Sequence, residues 1–169
     1  MNFPWSLPQA TCELSECKQY RYILKIPVSD KPGVCCFCLA NPSKAVVVNG
    51  VFKSDPTVTR CMGYTRDWGY GTLVVVNARA WRDTDPDKVP GDPEAIGPDN
   101  DMWIERAARE ADVVVCGWGK LGGERGLAVL ELLMRVGKVP HALALNADGT
   151  PSHTRGLRKD LKPFPMRVT

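Results

Sequence analysis

Three polar side chains stand where apolar runs break off. Val34-Cys35-Cys36-Phe37-Cys38-Leu39-Ala40 runs into Asn41-Pro42-Ser43, Leu73-Val74-Val75-Val76 runs into Asn77, and His153 follows the last apolar run, Val139 to Leu145. An amide side chain carries one acceptor oxygen and two donors, so it can pair bidentately with the edge of a flat heterocycle. Histidine is the side chain whose charge changes near neutral pH, which suits it to proton transfer and hydrogen-bond donation. Asp55 precedes Pro56 at a helix-start signal, where the helix macrodipole favours a negative charge. Tyr70, Trp81 and Trp118 offer ring faces on which a base could stack. Ser43, Lys120, Arg155 and Arg158 offer a hydroxyl and cations for phosphate contacts.

These groups need a scaffold, and the chain reads as strands alternating with helices. Apolar runs bounded by turn residues predict buried strands at 34–40, 72–77, 112–117 and 139–145, with a further edge strand at 19–27 ending on Pro27. Proline at the first helical position after a capping residue starts a helix at Pro56, running to about Trp68, with Val58, Cys61, Met62 and Thr65 near one face. Further helices are expected at 101–110, packing through Met102, Ile104 and Ala108, and at 125–136, packing through Leu127, Leu130, Leu133 and Met134. Residues 46–51 read equally as a short strand with a turn or as an ordered loop. The expected organisation is an irregular N-terminal segment, 1–18, and one α/β domain, 19–169. Its fold class is α/β: a three-layer α/β/α sandwich around a central four-stranded, mainly parallel sheet. In such a sheet ligands bind at the carboxyl ends of the strands. Asn41, Ser43, Asn77, Arg79, Trp118, Lys120 and Asn146 all fall there. The long polar segment from Arg79 to Asp99 has the length of a functional loop.

Composition narrows the classes. The chain has 169 residues, 44% hydrophobic and 24% charged, with a net charge of +3, which is ordinary for a globular protein. No apolar run approaches the 18 or so residues that span a membrane, and the N-terminus lacks the charged, then apolar pattern of a signal peptide. A cytoplasmic location and no membrane partner are therefore expected. The seven cysteines are an odd number, which argues against a disulfide framework. Cys35, Cys36 and Cys38 alternate faces along one strand and cannot easily converge on a metal. No metal site and no cofactor is expected. The phosphate-cradling pattern of nucleotide hydrolases and the Gly-x-Ser-x-Gly elbow are both absent, and the Gly-x-Gly-x-x-Gly at 117–122 lies in the third strand–helix unit rather than the first.

Several separated stretches occur in the order of a known family. LANPSKA (39–45), DPTVTRCMGYTRDWGYGTLVVVNARAWRDTDP (55–86), GPDND (97–101), the CGWGKLG turn and His153 resemble the small bacterial and phage family called domain of unknown function 1643. The order of features is also similar to the uracil-DNA glycosylase superfamily: a strand ending in a polar loop with Asn-Pro, a later strand ending in asparagine, then a loop opening with histidine. Ala40-Asn41-Pro42-Ser43, Val76-Asn77 and His153 take those positions, with Ala40 where such loops carry glycine. That resemblance implies a glycosylase-like hydrolase that cleaves the N-glycosidic bond of a pyrimidine, modified or not, in DNA, single-stranded DNA included. It implies His153 as donor to the leaving base, Asn77 as reader of the base edge, and Asn41 or Asp55 as the group that positions water. The alternatives are a non-catalytic binder of a modified base or nucleotide, and an enzyme acting on a free nucleotide.

Overall fold

Apolar strands that alternate with amphipathic helices must stack their helices on the two faces of a sheet, and the chain does so. The computed structural model describes residues 9–83 and 85–168. The expectations for the first eight residues, irregular structure and no leader, lie outside them. The strands are β1 (Thr11–Leu14), β2 (Arg21–Pro27), β3 (Val34–Leu39), β4 (Val46–Val48), β5 (Val51–Lys53), β6 (Thr72–Asn77), β7 (Val113–Gly117), β8 (Pro140–Ala142) and β9 (Phe164–Pro165). The helices are α1 (Pro56–Asp67), α2 (Asn100–Glu110) and α3 (Gly123–Arg135). Seven strands form one sheet in the order β1-β2-β6-β3-β7-β8-β9. Its centre, β6-β3-β7-β8, is parallel, and β1, β2 and β9 add antiparallel edges.

Strand alternation divides the core. Cys36, Cys38, Val74, Val76, Val114 and Cys116 pack with Ile104, Ala107 and Ala108 of α2 and Leu130 and Leu133 of α3. Cys35, Phe37, Leu39, Leu73, Val75 and Val115 pack with Val58, Cys61 and Tyr64 of α1 on the other face. Successive strand residues point to opposite faces, so a continuous apolar run such as VCCFCL supplies both cores at once.

The connections create a switch point. From β3 the chain passes through α1 to β6 on one side; from β6 it returns through α2, on the opposite face, to β7 on the other side of β3. Loops after β3 and β7 therefore diverge, and a crevice opens at their carboxyl ends.

Several expectations need correction. The segment 19–27 is not an edge: β2 is flanked by β1 and β6. The edge is Thr11–Leu14, within the stretch expected to be irregular. Four residues are too short to display a period; they are held by a turn in which Ser15 N–H donates to Tyr20 O at 3.0 Å and Lys18 adopts φ 61°. Residues 46–53 form a hairpin, and both turn residues, Asn49 (φ 51°) and Gly50 (φ 75°), take the left-handed conformation such turns require. The last parallel strand is three residues rather than seven, because the chain leaves β7 after His141. Met102, Leu127 and Met134, expected to pack, are exposed, while Ala107, Val129 and Leu132 take the buried positions. Strand β9 carries no pattern that a sequence reading could find; it pairs with β8 through two residues.

Candidate functional site

At the switch point lies an open cavity of about 850 Å³. This is within the usual range for ligand sites, roughly 300–1,000 Å³. The loop after β3 gives it Asn41 to Lys44, the start of α1 gives Asp55 and Arg60, the long loop after β6 gives Arg79 and Asp83, the turn after β7 gives Leu121, and the segment after β8 gives His153 and Arg155. Four of the residues predicted from strand ends and helix starts, Asn41, Ser43, Asp55 and His153, thus meet on one cavity, together with Arg155.

Each is fixed by local structure. Pro42 ends β3, and Asp55 caps α1. Asp55 Oδ1 accepts the Val58 N–H at 2.8 Å. Its Oδ2 accepts the Ala45 N–H at 2.8 Å and also the Ser43 hydroxyl. One carboxylate therefore caps the helix and pins the loop carrying Asn41 and Ser43. His153 is held by a zipped pair of turns: Gly119 N–H donates to Pro151 O at 2.8 Å, Ser152 N–H to Ala144 O at 2.9 Å, and Ser152 Oγ to Asn146 Oδ1 at 3.0 Å. Asn146 is thus a turn-former. His153 Nδ1 accepts the Arg155 N–H at 3.0 Å. A neutral ring with Nδ1 as acceptor carries its proton on Nε2. Burial, reinforced by the Arg155 charge, pulls the His153 pKa below its ordinary value. At neutral pH the ring is an uncharged Nε2–H donor on the cavity wall.

The other predicted residues lie elsewhere. Asn77 does not line the cavity. It is 0% exposed, and neither Oδ1 nor Nδ2 has a hydrogen-bond partner; Asn41 Oδ1 is likewise buried and unpartnered. Tyr70 precedes β6 and packs against Gly33, which precedes β3. It therefore sits at the amino ends of the parallel strands, opposite the cavity. Trp118 is 3% exposed and belongs to the core on the α2–α3 face, its ring seated on Gly122 and Gly126. Trp81 pairs with Tyr20 across the strand edge, ring centroids 5.6 Å apart. Lys120 is exposed outside the cavity. Arg158 is held by Asp160 through Nε–Oδ1 at 2.9 Å and Nη2–Oδ2 at 2.5 Å.

Sequence reasoning missed several residues. Arg60 lies one turn into α1 on the cavity side, a position readable only once the helix is placed. Arg79, which the sequence does place at a strand end, lines the cavity; it grips Asp92 through Nε and Nη2 at 2.8 and 2.9 Å and donates from Nη1 to Leu121 O at 2.9 Å. It thereby ties the long loop to the turn after β7 and presents Leu121, 77% exposed, at the mouth. Arg21, 1% exposed, donates from Nη1 to Ala45 O at 2.6 Å behind the pinned loop. Burial draws its pKa down to about 10, so it stays cationic at neutral pH. The end of β6 is fastened by Asn100 Nδ2 to Asn77 O at 2.9 Å and Arg125 Nε to Ala78 O at 2.7 Å. Among the described residues no cluster of three or more histidine, cysteine or acidic side chains could hold a metal, and no helix is long and apolar enough to cross a membrane.

The class defined by this fold and cavity is an α/β protein with a cation-rimmed polar site at the carboxyl ends of its parallel strands. Residues 21–154 match the family described as protein of unknown function (DUF1643). The chain belongs to that family. No curated protein and no solved structure matches it.

Proposed function

We propose that the cavity takes a nucleobase still attached to its sugar and that the protein hydrolyses the N-glycosidic bond, in the manner of a DNA glycosylase with a uracil-DNA glycosylase-like sandwich. One observation carries this reading: His153 accepts the Arg155 N–H at Nδ1, which leaves Nε2 as the donor, on a cavity that also bears Asn41 and Ser43. When the bond between C1′ and the base nitrogen breaks, its electron pair leaves with the base. A fixed donor aimed at that developing charge supplies about 3 kcal/mol, or 10²–10³ in rate. Water adds to C1′, and its proton balances the departing base. Asn41 positions that water or the base edge, since its Oδ1 is buried without a partner. The fully buried amide of Asn77 has both polar atoms unmatched. A buried unmade hydrogen bond costs about 1–3 kcal/mol, but Asn77 lies off the cavity, so the base edge is left to Asn41. Lys44, Arg60, Arg79 and Arg155 give the rim a phosphate-binding character.

A second reading, binding without hydrolysis, is favoured by Asp55, whose two oxygens are both occupied by structural hydrogen bonds. A single assay separates them. Oligonucleotides carrying different modified pyrimidines are incubated with the protein and probed for alkali-labile abasic sites. Hydrolysis predicts base release that falls about 10²–10³-fold in His153→Ala. The rate should also fall on the acid side with a midpoint below 6.5, since protonating Nδ1 breaks the Arg155 N–H contact. Tight binding with the base left attached to its sugar would support the second reading. Base release unchanged in both His153→Ala and Asn41→Ala would refute the roles given to them.

A further inference from the structure

A second hollow of about 810 Å³ runs along α1 and shares Asp55, Pro56 and Arg60 with the first. Its wall combines apolar side chains, Phe52 and Met62, with Arg60, Arg66 and Lys159. Charge is concentrated along this path. The two hollows together are lined by six cations (Lys44, Arg60, Arg66, Arg79, Arg155, Lys159) and three acids (Asp55, Asp67, Asp83). The whole chain has 22 Lys and Arg against 19 Asp and Glu. Removing the lining residues leaves sixteen of each, so the entire +3 excess lies on this path. Among the described residues the side chains of Lys44, Arg66, Arg155 and Lys159 make no hydrogen bond or ion pair within the protein, whereas Arg79 is held by Asp92. Asp55 faces inward to its cap and loop bonds.

We infer that the second hollow is a subsite for the neighbouring nucleotide of a single-stranded nucleic acid that crosses the Pro56–Arg60 ridge. The inference rests on the reading that the first hollow takes a nucleotide. Each hollow is within the size range of a small-molecule site, so a mononucleotide occupies one and only a chain spans both. Single-strand sites pair a cationic track with an apolar or aromatic platform for each base, and Phe52 and Met62 beside Arg66 and Lys159 supply both elements. A duplex, whose bases are stacked inside, presents no base face to the second wall.

The test measures binding of thymidine monophosphate and of oligothymidylates of two, four and eight residues, by calorimetry and fluorescence anisotropy across a salt series. Affinity should rise at least about tenfold between the monophosphate and the tetramer, as a second linked contact implies. Arg66→Ala/Lys159→Ala, both exposed positions, should lower oligomer affinity and reduce the salt slope by about 1.4, at roughly 0.7 per phosphate contact on single strands. The same variant should bind the monophosphate unchanged. Equal affinity for monomer and oligomer, or an oligomer affinity indifferent to the double variant, overturns the inference. His153→Ala separates the two proposals. If monophosphate binding depends on His153 but oligomer length has no effect, only the second hollow is wrong. If length and the double variant matter but His153 does not, the first reading is wrong.

Discussion

Replacing Asp55 distinguishes a residue that builds the site from one that acts in it. Asp55 Oδ1 caps α1 through Val58 N–H at 2.8 Å, and Oδ2 holds Ala45 N–H at 2.8 Å and the Ser43 hydroxyl. Losing an aspartate cap costs about 1 kcal/mol. Each of the other two hydrogen bonds has a charged acceptor and a partly buried setting, worth about 1.5 kcal/mol at the low end. Asp55→Ala should therefore destabilise the protein by about 4 kcal/mol, with a further contribution because the Asp55 charge favours the cationic form of buried Arg21. For a chain of this size each kcal/mol moves Tm by about 2–4 °C, which gives a fall of about 8–16 °C. Asp55→Asn keeps the cap, since asparagine caps as well as aspartate, but its Nδ2 cannot accept from Ala45 N–H. It should lose about 2–3 kcal/mol, most of the loop contribution. Thermal and urea denaturation of the three proteins measure this, with an unchanged urea slope required for the comparison. A Tm shift below about 2 °C in Asp55→Ala, accompanied by complete loss of base release, would mean that the carboxylate serves the substrate and that the pinned-loop argument is wrong.

Two further outcomes follow from packing and burial. At Gly126 in α3 a Cβ would lie 2.6 Å from Trp118 Nε1, whereas at Gly63 in α1 it would meet nothing within 4 Å. Gly126→Ala should thus cost about 1–3 kcal/mol by overpacking, and Gly63→Ala should stabilise by up to about 1 kcal/mol through helix propensity; equal melting shifts of one sign would refute the Trp118 seat. Cys17 is exposed and its thiol pKa is lowered by the Ser15 hydroxyl at 3.3 Å. Cys35, Cys36, Cys38, Cys61 and Cys116 are buried, and burial pushes their thiols up, to about 12 at Cys35 and Cys38. A disulfide reagent should label Cys17 first and reach the buried five only on unfolding, and rapid native-state labelling of any of them would contradict the packing.

The parallel core was legible because its strands are apolar on both faces. Runs such as LVVV and VVVC appear only where helices cover both sides of a sheet, and Asp55-Pro56 marks a helix start by local chemistry alone. The short edges were not legible. Thr11–Leu14 and Phe164–Pro165 are strands only because β2 and β8 offer unpaired backbone beside them, a tertiary cause with no local pattern. The exposed Met102, Leu127 and Met134 show the same limit: a helix with several apolar stripes does not state which one meets the sheet.

The two asparagines show where strand-end reasoning divides. Both close an apolar run, and by that rule both belong in the crevice. After Leu39 the chain meets Pro42, which cannot continue a ladder, so Asn41 turns out onto the cavity. After Val76 nothing breaks the pairing. Ala78 N–H donates to Leu39 O at 2.7 Å and Arg79 N–H to Ala40 O at 3.0 Å, carrying the strand geometry past Asn77. Alternation then keeps Asn77 on the face of Leu73 and Val75, fully buried, and the residue that emerges is Arg79. The crevice is thus reached where the ladder hydrogen bonds end, at Asn41 on one strand and at Arg79 on the other, and a breaker such as proline is what makes that position readable from sequence.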